Sequence, residues 1–131
     1  MKADIVISKV ENLHLAIVKE YNSIFKTNDY YAYLINEKTI DLEMILVVSK
    51  GFDGVEETSI MRHKIEKLPA NSVAKMELMQ EEILKLNNEF KVTFFEDNKM
   101  FEKNFLVKKH TVKEGALRNI KAINKRGVLI K

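Results

Sequence analysis

Apolar positions in this chain come in short runs that stop at polar, turn-forming residues, a pattern that predicts β-strands. Leu13 to Val18 is dense in aliphatic residues, Tyr30 to Asn36 is aromatic and aliphatic, and Leu42 to Ser49 is apolar on both alternating faces before Lys50-Gly51-Phe52-Asp53-Gly54 ends it. An apolar run on both faces predicts a central strand. Thr58 to Ile65 alternates less cleanly and predicts an edge strand, with Arg62, His63 and Lys64 suited to water. Val92 and Phe94, then Phe101, Phe105 and Val107, alternate with polar residues across Asp97-Asn98-Lys99, so Glu89 to Glu96 and Met100 to Lys108 predict a β-hairpin.

Two segments fit both periods. Ser72 to Leu86 places Val73, Met76, Met79, Ile83 and Leu86 along one helical face. Written as a strand, it turns Ala74, Met76 and Leu78 inward and Lys75 and Glu77 outward. Asn12 to Phe25 carries a helical stripe through Leu13, Ile17, Tyr21 and Ile24 as well as its strand pattern. Periodicity alone tilts the first of these toward helix.

Tyr33-Leu-Ile-Asn36, Leu46-Val-Val-Ser-Lys-Gly51, Ser59-Ile-Met-Arg-His63, Leu86-Asn-Asn-Glu89 with the hairpin after it, and Arg126-Gly-Val-Leu-Ile-Lys131 together resemble a small family of uncharacterised bacterial proteins of about this length. Some members carry the label phenylalanyl-tRNA synthetase alpha subunit, and the resemblance covers nearly the whole chain. It implies a β-sandwich in which Ser72 to Met79 is a strand and Asn87-Asn88 introduces the last hairpin. The expected fold is therefore mainly β: an immunoglobulin-like antiparallel β-sandwich of about seven strands with an irregular, partly basic C-terminal segment. Its expected core is Leu15, Ile17, Tyr33, Ile35, Met44, Leu46, Val48, Met76, Leu78, Val92, Phe94, Phe105 and Val107.

Composition narrows the class. A chain of 131 residues, 46% apolar and 31% charged with one Pro and four Gly, predicts a single domain over residues 1–131. Without Cys there are no disulfides, thiolate nucleophiles or thiolate metal sites. The apolar run between Asp4 and Ser8 is too short for a signal peptide, and the run from Met44 to Val48 is far below the roughly 20 residues of a spanning helix. A soluble cytoplasmic protein with no membrane partner is expected.

Charge is unevenly placed. Residues 1–106 hold 14 Lys and Arg against 18 Asp and Glu, a net of −4, whereas residues 107–131 hold 8 against Glu114 alone, a net of +7. Anionic partners would be met in that segment, through Lys108, Lys109, Lys113, Arg118, Lys121, Lys125 and Arg126. The competing expectation, and the favoured one, is that Ala116, Leu117, Ile120 and Ile123 pack the segment against the sandwich and leave its cations in water.

No catalytic pattern emerges. His14, His63 and His110 lack metal-ligand spacing, so no metal or cofactor is expected. Ser8, Ser23, Ser49, Ser59 and Ser72 lack a nucleophile elbow, and the adjacent acids Glu56-Glu57 and Glu81-Glu82 suit solvation better than acid–base chemistry. Gly51 and Gly54 bracket a turn and lack the context of a phosphate loop. The tyrosines at 30, 31 and 33 and the phenylalanines at 90, 94, 95, 101 and 105 suit a core better than a stacking platform, because Glu89, Glu96, Asp97 and Glu102 offset the lysines between them. A synthetase catalytic domain, with its large ATP-holding sheet, is not expected in a chain of this length. The sequence therefore predicts a non-enzymatic binding or protein-interaction module with a protein partner or self-association. The alternative is a nucleic-acid-associated, for example tRNA-related, accessory protein that uses the basic C-terminus.

Overall fold

A computed structural model of the chain describes residues 10–58 and 60–131. Ten strands occur among them: β1 (Leu13–Asn22), β2 (Thr27–Asn36), β3 (Leu42–Asp53), β4 (Glu56–Glu57), β5 (Met61–Leu68), β6 (Ser72–Met79), β7 (Asn87–Glu96), β8 (Lys99–Val107), β9 (Arg118–Ile120) and β10 (Lys125–Ile130). A single helical turn, α1 (Glu81–Leu84), links β6 to β7, and one 3₁₀ turn, Glu114–Ala116, precedes β9. They form two antiparallel sheets, β6-β2-β1-β10-β9 and β4-β3-β7-β8, with β5 also paired to β3. The seven strands expected from the pattern are β1, β2, β3, β5, β6, β7 and β8; β4, β9 and β10 are additional.

Between the sheets lies one apolar core, in which Leu13, Leu15 and Ile17 of β1 meet Ile45 and Val47 of β3, Phe90, Val92 and Phe94 of β7, and Phe105 and Val107 of β8. Area removed from water at this density is the main favourable term of the fold. The β7–β8 connection is a two-residue turn whose Asp97 and Asn98 both take positive φ, at 51° and 61°, the geometry that matches the twist of a hairpin. At the opposite end of β2, the buried amide of Asn36 donates to the carbonyls of Ile40, Leu68 and Pro69, tying together the two loops that carry the chain between sheets.

Both ambiguous segments resolve as strands. β6 covers the first half of Ser72 to Leu86, and Gln80 starts only one turn of helix after it. The helical stripe lost because β6 pairs with β2 from Asn36↔Ser72 to Tyr30↔Met79, which satisfies its backbone in a way a surface helix there would not.

The expected core is correct on β1, β7 and β8 and shifted on β3 and β6. Leu46 is 39% exposed, Met44 64% and Leu78 45%, while Ile45 and Val47 are fully buried. On β3 the cause is a β-bulge: the pairing with β7 shifts between Glu43 and Leu46, and Met44 sits at φ 49°. One extra residue moves the inward set from Leu42, Met44, Leu46 to Leu42, Ile45, Val47, Ser49. A second register shift, where Ala32 and Tyr33 of β2 meet Glu77 and Lys75, leaves Met76 extra and turns Glu77 inward and Leu78 outward.

The C-terminal segment is more regular than expected. β10 pairs with β1 in the interior of its sheet, and β9 pairs with β10. Leu117 and Ile120 are buried, and Ile120 joins Ala16, Val18, Tyr33 and Ile35 in a second apolar cluster on the outer face of β1 and β2. Gly127 permits that approach, since a Cβ there would lie 2.5 Å from the Ile17 carbonyl oxygen and 2.9 Å from Ile120 Cδ1.

Candidate functional site

β5 and β6 are edge strands of opposite sheets, joined at one end through Pro69-Ala70-Asn71. Toward their other ends the sandwich opens into a cleft of about 510 Å³ between β3, β5, β6 and α1. Its walls are largely apolar, from Met61, Leu78, Met79, Ile83 and Phe90. A concave, mostly apolar site with a few converging polar groups is the usual form of a ligand pocket.

The polar groups converge on Glu77. Its Oε1 accepts a hydrogen bond from Ser49 Oγ at 2.7 Å and lies 3.2 Å from His63 Nε2. Ser49 is buried, the Glu77 side chain is 8% exposed and that of His63 20%. Each residue arrives by a backbone device: the bulge at Met44 turns Ser49 inward, the bulge at Met76 turns Glu77 inward, and the register Val47↔His63 places the imidazole on the inner side of an edge strand. Glu77 Oε2 has no hydrogen-bond partner among the described residues, so the carboxylate keeps an open acceptor beside the apolar walls. Gly51 closes the rim, its N–H donating to Thr58 Oγ1 at 2.8 Å.

A second polar cluster lies on the outer face of β1, β2, β6 and β10. Glu20 accepts from Lys75 Nζ at 2.7 Å, Lys125 Nζ at 3.0 Å and the Tyr33 hydroxyl, and Lys75 Nζ sits 3.8 Å from the centre of the Tyr31 ring. Burial pushes the Glu20 carboxyl up, but the three donors more than reverse this and hold it at about 2. Burial and the neighbouring Glu20 carboxylate push the Tyr33 phenol up.

The seven basic candidates do not form one surface. Lys109 pairs with Asp53 at 3.1 Å, Lys125 with Glu20, and Arg126 with Glu114 at 3.3 Å, while Arg118 donates to the carbonyls of Gly115 and Leu117. Lys108, Lys113 and Lys121 are exposed. Lys125 and Arg126 share one groove, and Arg118 and Lys121 line another.

The histidines are likewise apart. His14 lies against Glu37 Oε1 at 3.2 Å with its pKa lowered by burial against the pull of Glu37, His63 lies behind Glu77 at 3.2 Å, and His110 is exposed in a loop. Among the described residues no group of three or more His, Cys, Asp or Glu is placed to hold a metal ion, and no helix is long and apolar enough to cross a membrane. Of the serines singled out in the sequence, Ser8 and Ser59 lie outside the described residues.

Sequence reasoning weighed Ser49 and His63 one at a time and assigned Glu77 to solvent. The missing information was the pair of bulges, which local composition does not announce. Comparison with family models, with curated proteins and with solved structures finds no match to this chain. The site is therefore interpreted from its own geometry.

Proposed function

We propose that this chain is a non-enzymatic binding module whose ligand occupies the cleft between β3, β5, β6 and α1. The observation that carries this is the buried carboxylate of Glu77, steadied on one oxygen by Ser49 and His63 and open on the other, beside a largely apolar wall. Such a site suits an apolar body ending in a hydrogen-bond donor, best a cationic one. A small amine and a projecting lysine or arginine side chain of a partner protein offer the same chemistry.

The geometry at Glu77 favours binding over catalysis. The imidazole of His63 and the hydroxyl of Ser49 both address the same oxygen of Glu77, so His63 is not the base on Ser49 that a relayed nucleophile requires. Strand addition by a partner is also discouraged, because β6 carries a bulge and an inward carboxylate and β5 carries Arg62, Lys64, Glu66 and Lys67, all devices that blunt sheet edges. The nucleic-acid reading ranks second, since three of its seven cations are paired within the chain.

Hexylammonium, hexanol and hexanoate titrated into isotopically labelled protein test the proposal by amide and methyl chemical shifts. Hexylammonium is expected to perturb Met61, Met79, Ile83 and Phe90 most strongly, hexanol less and hexanoate least, with the preference for the amine lost in Glu77→Gln. Hydrolysis of an ester or amide by the wild type, abolished in Ser49→Ala, would overturn it in favour of an enzyme.

A further inference from the structure

The β1–β2 hairpin ends in Asn22-Ser23-Ile24-Phe25-Lys26, and its apex is unusually apolar. Ile24 is 83% exposed, Phe25 73%, and Tyr21 just below them 62%. Single exposed apolar residues are ordinary, but two adjacent ones on a projecting turn with an aromatic beneath make a patch. The turn is also fixed in shape. Asn22 Oδ1 accepts from the backbone N–H of Ile24 at 3.0 Å and of Phe25 at 3.2 Å, and Lys26 closes the loop at φ 56°. This Asx arrangement holds the two side chains away from the sheets.

At the foot of the hairpin is a groove of about 450 Å³ lined by Lys19, Glu20, Tyr21, Asn28, Lys125 and Arg126. Glu20 is already enclosed by three donors, and Glu114 is shared between Lys19 and Arg126. Lys19, Lys125 and Arg126 are all paired within the chain, but with Lys26 on the apex these four cations face only Glu20 and Glu114, so the flank keeps a net positive charge. On the other side of β2, Asp29, Glu81 and Glu82 line a separate, acidic groove. The charge around the hairpin is therefore sided.

We propose that the β1–β2 hairpin is a peripheral docking tip for an anionic lipid surface, with Ile24 and Phe25 entering the headgroup–acyl boundary and the β10 flank lying on the headgroups. The occupant follows from the shape and chemistry of the tip. Ile24 at a convex apex has nothing to stack on in a nucleic acid and needs a socket in a protein, whereas a bilayer deforms around it and takes up its apolar surface. Neither two apolar side chains nor a modest cationic flank holds a protein on a membrane alone, but the two together suffice for weak, reversible attachment. Such attachment requires no spanning helix.

The test uses the full chain with sedimented vesicles of phosphatidylcholine alone and of phosphatidylcholine containing phosphatidylglycerol. Binding is expected only to the anionic vesicles and should weaken as salt rises, since Debye screening acts on the cationic flank. Ile24→Ser with Phe25→Ser should weaken it by roughly tenfold or more, with an unchanged melting curve because both side chains are already in water. Phe25→Trp should give a blue-shifted emission on anionic vesicles, which a purely electrostatic contact would not. Failure to bind anionic vesicles at low salt, or equal binding by the double serine variant, overturns the proposal. So does saturable binding of single-stranded RNA that displaces the vesicles and is indifferent to the two serines, because the cationic flank would then serve a nucleic acid.

Discussion

The β7–β8 hairpin and the β5–β6 flank both bound the same core, and each turns charge inward, Glu96 and Lys103 on the first and Glu77 on the second. Along β7 and β8 nine consecutive residue pairs run from Asn88↔Val107 to Glu96↔Lys99 without a break. There Glu96 pairs with Lys38 at 3.1 Å, and Lys103 lays its ammonium 4.9 Å from the centre of the Phe105 ring and donates to the carbonyl of Leu13 at 2.8 Å, so both charges are met at the edge of the core. On the other flank the alternation breaks twice, at Met44 and at Met76, and the breaks bring in Ser49 and Glu77. Glu77 is held on one oxygen and left open on the other. Regular alternation thus gives a closed wall, and a bulge on each facing sheet gives a polar group with spare capacity inside an apolar cleft.

The largest expected effects test the phase of the strands. Phe105→Ala on the regular flank should cost about 3–5 kcal/mol, and Leu106→Ala, whose side chain is 45% exposed, under about 1 kcal/mol. On the bulged strand Ile45→Ala should cost about 2–5 kcal/mol and Leu46→Ala well under half of that, the reverse of what unbroken alternation implies. Denaturant unfolding measures all four. If Leu46→Ala is the costlier of its pair, the bulge at Met44 is not present.

Next in size is the outer-face cluster, which sharpens the contrast because Glu20, unlike Glu77, is fully engaged. Its carboxyl is held at about 2 in the folded protein against an ordinary 4.5, so it contributes stability at any pH above 4.5 and loses it as pH falls toward 2. Glu20→Gln should be less stable than the wild type by about 1–3 kcal/mol at neutral pH, with the gap closing between pH 4.5 and 2. A gap that persists undiminished at pH 2 would contradict the pairing.

The smallest effect is at the bulge itself. Met44 holds φ 49°, a conformation strained for a residue with a Cβ. Met44→Gly should therefore stabilise by up to about 1 kcal/mol, and Met44→Val should destabilise. Opposite signs in thermal melts would place Met44 in ordinary extended backbone.

These same residues mark what the sequence made legible. Val92, Phe94, Phe105 and Val107 were readable because alternation, apolar chemistry and the Asp97-Asn98 turn all point to one register. Met44, Leu46 and Val48 misled because every position from Met44 to Val48 is apolar, so hydrophobicity cannot say which parity faces inward, and φ at Met44 decides it. Glu77 misled for a related reason: in unbroken alternation a carboxylate beside Met76 faces water, and one extra residue reverses that. The basic segment was read correctly where Leu117 and Ile120 pack, and less so in its regularity, since Gly127 allows β10 to lie inside a sheet.

The claim on which the functional proposal rests is that two bulges bring Ser49 and Glu77 into one buried polar unit. A double-mutant cycle with Ser49→Ala and Glu77→Met, followed by denaturant unfolding, measures that contact most directly. A coupling energy of about 1 kcal/mol or more is expected, because each variant removes one side of a buried, charge-assisted hydrogen bond. Additivity within about 0.3 kcal/mol would show that the two side chains do not meet and that the cleft lacks its polar floor.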